Sequence, residues 1–167
     1  MGSRYERKQP MTGKVLSIHI AARGTSDMTE ISEATLVAGR GIVGDRYHAE
    51  TGTFSEQLEG PDHELTLIAA EEIARFCDST GQTLGAGELR RNVVTQGIEL
   101  NDLVGKEFTL GEVRARGMRL CEPCSHLAAL VSPDVLPALV HRAGLRVAIL
   151  EGGTVRPGDT VAAISAT

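Results

Sequence analysis

The stretch Lys106–Leu120, KEFTLGEVRARGMRL, decides the fold class of this chain. It predicts two consecutive β-strands, Lys106–Leu110 and Glu112–Leu120, with a turn at Gly111 between them. Another strand is predicted just upstream, at Asn92–Thr95. From that strand onward the sequence therefore favours β-structure.

Further strands are predicted on both sides of this region. Within Gly13–Ala21, the apolar residues Leu16, Ile18 and Ile20 recur at every second position, which indicates a half-buried strand. The other predicted strands are Ala34–Ala38, Glu64–Ile68, Leu145–Glu151 and Thr160–Ile164.

Three helices are predicted between these strands. The first, Ala69–Asp78, follows a strand directly, and Gly81 suits its C-terminal cap. The second covers Ser125–Val131, and the third begins with Ser132 as N-cap and Pro133 at its first position. Because strands outnumber helices without regular βαβ alternation, the predicted fold is mainly β: a closed or nearly closed barrel with a few peripheral helices.

Composition limits the possible functions. The 167 residues suit one domain, predicted at 13–165, and the polar segment 1–12 is expected to be a disordered lead-in. A net charge of −5, with no Trp, two Tyr and three Phe, argues against a nucleic-acid partner. No apolar run approaches the roughly 20 residues that span a bilayer. An odd number of cysteines, three, favours reduced thiols in a cytoplasmic protein.

The strongest local motif is the CxxC pair formed by Cys121 and Cys124. Such a pair suits a redox disulfide, a metal site or one activated thiolate. A zinc site could use Cys121, Cys124 and His126, but no fourth ligand is obvious. His48 and His63 are the remaining candidates, and no motif spacing links them to the cysteines. The β-rich flank disfavours a thioredoxin-like motif, and the single thiolate therefore stays the leading interpretation.

Cys124 is the better candidate for that thiolate. It would open the helix predicted from Ser125, whose N-terminus would favour the charged sulfur, and His126 and Arg119 would add positive charge nearby. Such a thiolate could accept a sulfane sulfur as a persulfide or bind a soft metal such as molybdenum. Two small cysteines packing a turn are the alternative.

Two other segments carry polar residues that suit a ligand. The glycine-rich segment Gly39–His48 contains Asp45, Arg46 and His48, and its glycines would let the backbone approach a ligand; the alternative is a tight turn with a surface salt bridge. It opens a long loop, to Gly60, of a kind that is usually functional or mobile.

The second of these segments is Glu88–Asn92, which contains Arg90, Arg91 and Asn92. Arginine suits a bidentate grip on phosphate or carboxylate, and Asn92 could hydrogen-bond a heterocycle. The segment is interpreted as a strand, in which Arg90 and Arg91 would point to opposite faces and only one of them could face a pocket. A solvated edge strand is the alternative.

Together these segments resemble the MOSC family, named for the C-terminal domain of molybdenum cofactor sulfurase. The resemblance runs from Gly13 to Val161 and depends on the order and spacing of its landmarks. They are Gly39–His48, Leu65–Glu71, Arg90–Asn92, Gly105–Gly111, Pro123–Cys124 and Gly158–Val161.

The resemblance implies a β-barrel that binds the molybdenum cofactor, carries sulfur for molybdoenzyme maturation, or does both, with Cys124 as the family cysteine. Arg46, His48, Arg90, Asn92 and Arg119 would then bind the cofactor. A reductase of N-hydroxylated compounds, with Cys124 ligating molybdenum, is the enzymatic alternative. We expect a stand-alone domain, with no visible pyridoxal phosphate site and no second β-barrel domain, so that a partner such as a cysteine desulfurase would supply the sulfur.

Overall fold

The computed structural model describes residues 12–24, 26–48 and 64–164. The predicted lead-in lies outside these residues except for Thr12, which begins the first strand. His63 and the second half of the glycine-rich loop, with Gly60, also lie outside them.

The described residues form eleven strands, three α-helices and one short 3-10 helix. The strands are β1 (Thr12–Ile20), β2 (Thr29–Ile31), β3 (Ala34–Val37), β4 (Gly41–Ile42), β5 (Leu65–Ala69), β6 (Val93–Gln96), β7 (Glu107–Leu110), β8 (Val113–Leu120), β9 (Leu145–Glu151), β10 (Gly153–Val155) and β11 (Thr160–Ala163). The helices are α1 (Ala70–Thr80), α2 (Ser125–Leu130) and α3 (Val135–Ala138), and the 3-10 helix is Leu100–Leu103. None of these described helices has the length and apolar character needed to cross a membrane.

Seven strands close into a barrel, which confirms the predicted fold class. The hydrogen-bonded order is β11-β7-β8-β9-β5-β6-β1, and β1 pairs with β11 to complete the circle. All neighbours are antiparallel except β5 and β6, and a parallel pair needs a crossover connection, which here contains α1. β2 extends the sheet beyond β1, and β10, β3 and β4 form a separate small sheet.

Two hydrophobic clusters lie on opposite sides of the barrel wall. Leu65 and Leu67 of β5 point into the barrel, whereas Ile68 points outward. The outward cluster packs α1, α2 and α3 against the wall, with Phe76 and Leu139 fully buried in it. This packing holds α2, and the cysteine motif before it, beside the barrel.

Two local predictions were wrong. Leu16 was expected on the buried face of β1, but it is 42% exposed and Val15 is buried instead, because a bulge between Val15 and Ser17 shifts the alternation. The helix predicted to start at Pro133 begins at Val135, because Ser132 closes a preceding turn: its carbonyl accepts the Val135 N–H at 3.2 Å. By contrast, Gly81 caps α1 in the left-handed conformation as expected, with φ at 73°.

Candidate functional site

The two cysteines of the CxxC motif lie in different environments. Cys121 follows β8 and is 2% exposed, and its N–H donates to the Gly144 carbonyl at 2.8 Å. Cys124 is exposed at the N-cap position of α2. Both thiols are free. The segment therefore offers one accessible sulfur and one that packs in the interior.

Arg91 holds the buried side of this segment against the barrel wall. Its Nε donates to the Ala143 carbonyl at 2.8 Å, and its Nη2 lies 3.2 Å from the Cys121 carbonyl and 3.4 Å from that of Glu122. The residue is buried, and its described hydrogen-bond partners are all carbonyl oxygens. Arg91 therefore fixes the backbone from which Cys124 projects.

A second contact fixes the outer side of the same segment. One Glu122 oxygen accepts the backbone N–H of His141 at 2.7 Å, and the other lies 2.6 Å from the His141 Nδ1. His141 has a left-handed backbone, with φ at 61°, and its carbonyl accepts from the Asn101 side chain at 2.8 Å. The carboxylate thus stabilises a backbone conformation that non-glycine residues rarely adopt.

The glycine-rich segment supplies a buried ion pair. Asp45 is fully buried, and its Oδ1 accepts from the Ala21 N–H at 3.1 Å and from Arg46 Nη1 at 3.0 Å. Arg46 also donates from Nη2 to the Arg90 carbonyl at 3.2 Å, and its guanidinium lies 4.6 Å from the centre of the Tyr47 ring. Asp45 therefore joins this segment to the end of β1 and directs Arg46 towards Arg90.

Arg90 does not lie in a strand, contrary to the prediction. Its φ is 62°, and β6 begins only at Val93. The guanidinium donates to the carbonyls of Ser26 at 2.7 Å and Gly24 at 2.8 Å. Burial and the neighbouring Arg46 guanidinium lower the pKa of Arg90 from its ordinary value. Because this turn replaces the strand alternation, Arg90 and Arg91 both reach the same pocket, which the sequence argument had excluded.

That pocket, here called the arginine pocket, has a volume of about 280 Å³. It lies on the outer face of the barrel, beside the start of α2. The described residues that line it are Gly24, Arg46, Tyr47, Arg90, Arg91, Glu122, Cys124, His126, Leu127 and Arg146. Four arginines thus share one small pocket with the accessible thiol.

Among the four arginines of the pocket, Arg146 of β9 is the one that sequence reasoning missed. Its Nε and Nη1 are buried and have no hydrogen-bond partner within the described part of the chain. The available signal was a charged residue between the apolar residues Leu145 and Val147, both of which point into the barrel. Because side chains alternate along a strand, Arg146 must project outward, where the arginine pocket lies.

Three predicted ligand-binding residues do not line the arginine pocket. Asn92 is fully buried: its Oδ1 accepts the Thr66 N–H and its Nδ2 donates to the His19 carbonyl, both at 3.1 Å. Asn92 therefore joins three barrel strands. His48 accepts the Arg40 guanidinium on its backbone carbonyl at 3.0 Å, and Arg119 is exposed, opposite Arg146 in the pairing of β8 with β9.

A wider groove meets the arginine pocket at Arg90. Its volume is about 950 Å³, and Asp27, Glu30 and Glu88 give it an acidic character. His19 also lines it, and burial lowers the pKa of this histidine, while Glu30 acts in the opposite direction. The two adjoining cavities thus have opposite charge.

The zinc alternative lacks a site among the residues that can be described. No group of three or more His, Cys, Asp or Glu side chains comes together there as a metal site. In particular, Cys121 is buried while Cys124 and His126 line the pocket, so the three predicted ligands do not form such a group.

Comparisons with known proteins agree with this architecture. The family model of the MOSC domain matches residues 55–162, which is more than half of the 167 residues. No curated protein matches the chain.

Solved structures match the fold over nearly the whole chain. The YuaD protein from Bacillus subtilis is 16% identical, with a TM-score of 0.80, over 95% of this chain and 99% of that one. YiiM from Geobacillus stearothermophilus is 18% identical, with a TM-score of 0.71, over 92% of this chain and 75% of its own. YiiM from Escherichia coli is 17% identical, with a TM-score of 0.69, over 95% and 72%. At such identities the likeness shows the fold alone.

Proposed function

The chain belongs to the MOSC domain family, and we propose that it binds the molybdenum cofactor and carries sulfur for molybdoenzyme maturation on Cys124. One observation carries the proposal: the accessible thiol of Cys124 lies in the same small pocket as four arginines, one of which has buried donors without a partner.

The residues of the pocket fit the cofactor chemically. A thiolate is a soft ligand that suits molybdenum, and guanidinium groups suit the phosphate of the pterin. Cys124 would hold the metal, and Arg146 and Arg90 would hold the phosphate. The arginine pocket alone is small, but the adjoining groove of about 950 Å³ gives room for the pterin. When bound, the cofactor would supply a molybdenum centre, at which sulfur or oxygen atoms are transferred in two-electron steps.

The surrounding residues would keep the thiol in place for this role. Arg91 binds the carbonyls of Cys121 and Glu122, and Glu122 binds His141, so both sides of the segment before Cys124 are held. A reduced cytoplasmic setting would keep the thiol available. The sulfur would come from a donor, such as a cysteine desulfurase, and would be held as a persulfide on Cys124.

The test is purification of the native protein without chelators, followed by molybdenum and pterin analysis and by mass spectrometry of the Cys124 peptide. We expect bound cofactor or an added sulfur atom in the native protein, and neither in Cys124→Ser. Cys77→Ser is the matched control, because Cys77 is half-buried on α1 and does not line the pocket. Equal cofactor and sulfur content in Cys124→Ser and the native protein would refute the proposal. Turnover of an N-hydroxylated compound by the loaded protein would make it a reductase instead.

A further inference from the structure

Building on the proposed sulfur-carrying role, we propose that Cys124 takes sulfur directly from a small sulfur oxyanion with a sulfane sulfur, of which thiosulfate is the simplest. The arginine pocket would then bind the donor anion and the phosphate of the cofactor in turn, not at the same time. The chain would then act as a sulfurtransferase whose thiol can also be loaded without a partner protein.

Arg146 supplies the first argument. Buried donors are almost always hydrogen-bonded, and leaving one unmade costs roughly 1–3 kcal/mol. Among the described residues, Arg146 is the arginine of this pocket with buried guanidinium nitrogens, Nε and Nη1, that have no partner. Oxyanion oxygens are the acceptors that match this planar fork of donors. An anion in the pocket would complete these hydrogen bonds.

The charge of the pocket supplies the second argument. Glu122 is the one acid among its described lining residues, and both of its oxygens are already engaged by His141. The described acceptors of Arg90 and Arg91 are neutral carbonyls, so these contacts do not neutralise the two charges. A doubly charged anion would gain most from such a site. The chain as a whole has a net charge of −5, so this positive pocket is a local exception.

Size and position supply the third argument. A volume of about 280 Å³ accommodates an ion of a few heavy atoms together with water. Cys124 lines the same pocket, so an anion bound at Arg146 would lie in the cavity into which the thiol opens. Binding and reaction would thus occur in one cavity.

The transfer step balances without any other reactant. The Cys124 thiolate attacks the sulfane sulfur of thiosulfate, and a new S–S bond forms while the S–S bond of thiosulfate breaks. The electron pair of the broken bond leaves with sulfite. Cys124 is left as a persulfide anion, so the total charge is unchanged and neither an oxidant nor a reductant is consumed. Arg146 would stabilise the charge that moves onto the departing sulfite.

The experiment compares two sulfur donors on the same protein. Reduced protein is treated with thiosulfate or with inorganic polysulfide, which lacks oxygen atoms, and both sulfite release and the mass of the Cys124 peptide are measured. Thiosulfate should release one sulfite for each sulfur gained at Cys124, and Cys124→Ser should show neither. With cyanide as the sulfur acceptor, the native protein should form thiocyanate repeatedly.

Arg146→Met tests the assigned binding residue. Loss of a charged hydrogen bond of about 1.5–3 kcal/mol should raise the KM for thiosulfate roughly tenfold to a hundredfold, with loading by polysulfide unchanged. The control is Arg116→Met, which removes an exposed arginine from β8 outside the pocket and should leave the KM unchanged.

Each outcome of this experiment has a different meaning. Loading of Cys124 by polysulfide but not by thiosulfate would overturn the present inference and leave the carrier function standing. Failure of both donors would count against the carrier function itself. An unchanged KM in Arg146→Met would remove Arg146 from the donor site and overturn the inference.

Discussion

The polar residues around the arginine pocket form two sets that differ in how their hydrogen-bonding groups are used. The bonded set, Asp45, Arg91 and Asn92, is buried and makes several hydrogen bonds per side chain. The open set, Cys124 and Arg146, offers an exposed sulfur and buried donors without a partner. Because folding favours paired buried groups, the bonded set stabilises the fold, and we propose that the open set binds the ligand.

The residues of the family landmarks are not always the residues with groups open to a ligand. Asp45 and Asn92 belong to landmarks by which the chain resembles its family, yet their side chains connect strands and loops. Arg146 belongs to no landmark and supplies the unpaired donors. A motif can therefore mark the framework that builds a pocket as well as the residues that act in it.

The largest expected effect concerns the two cysteines. Cys124→Ser should abolish persulfide formation while the free energy of unfolding changes by less than about 0.5 kcal/mol, because the residue is exposed. Cys121→Ser buries a hydroxyl and should lower that free energy by about 1–2 kcal/mol with sulfur loading retained. Denaturant unfolding and peptide mass spectrometry measure the two quantities. Similar loss of loading in both variants would instead favour a dithiol or a zinc site.

The next effect tests the bonded set alone. Asp45→Ala leaves the buried Arg46 guanidinium without its carboxylate and should lower the free energy of unfolding by about 3 kcal/mol. Glu33→Ala, which removes a surface ion pair with Arg156, should change it by less than about 0.5 kcal/mol. Denaturant unfolding of both variants checks this. Equal stability of the two would show that Asp45 does not belong to the bonded set.

A matched pair of arginine substitutions tests both sets at once. Arg91→Met leaves the Ala143, Cys121 and Glu122 carbonyls without a donor and should cost about 2 kcal/mol of unfolding free energy. Arg146→Met removes donors that are already unpaired and should be neutral within about 0.5 kcal/mol or stabilising. Thermal or urea unfolding gives both values. A larger loss in Arg146→Met than in Arg91→Met would reverse the assignment.

The smallest expected effect is on the pH dependence of stability. Burial lowers the pKa of His19 below its ordinary value of 6.5, so the unfolded chain takes up a proton at this imidazole before the folded chain does. The free energy of unfolding should therefore fall as the pH decreases below about 6.5, until the lowered pKa of the folded state is reached. His19→Gln should flatten this part of the profile. Identical slopes for both proteins, measured by urea unfolding from about pH 7.5 to 5, would contradict the assignment.

The fold could be predicted from sequence because its main strands carry strong local signals. β7, β8 and β9 were located to within a residue at each end. β2, β4 and β10 were missed, since two- and three-residue strands are too short to show periodicity. The left-handed backbone of Arg90 was also missed. The side chain of Arg90 bonds to the carbonyls of Gly24 and Ser26, and contacts between residues so distant in sequence leave no local pattern.

The site was partly predictable for the same reason. Cys124, Arg46 and Arg90 stand in local motifs, and the structure brings them into one pocket. Arg146 comes from a strand far along the chain, so its place in the pocket depends on how β9 pairs within the barrel. Asn92 carried the right chemistry for a ligand, but its oxygen and its nitrogen are both engaged by buried neighbours, Thr66 and His19.

The pairing of β1 with β11 has a consequence for how the protein is made. One edge of β1 is covered at Ile18–Ile20 by β2, which follows it closely in the chain, whereas Thr12–Lys14 pair with residues 160–162. During synthesis, Thr12–Lys14 cannot pair with β11 until almost the whole barrel has emerged from the ribosome. The β1–β11 pair therefore cannot form before the last strand is made, and until then the Thr12–Lys14 edge of β1 is open to chaperones or to mispairing.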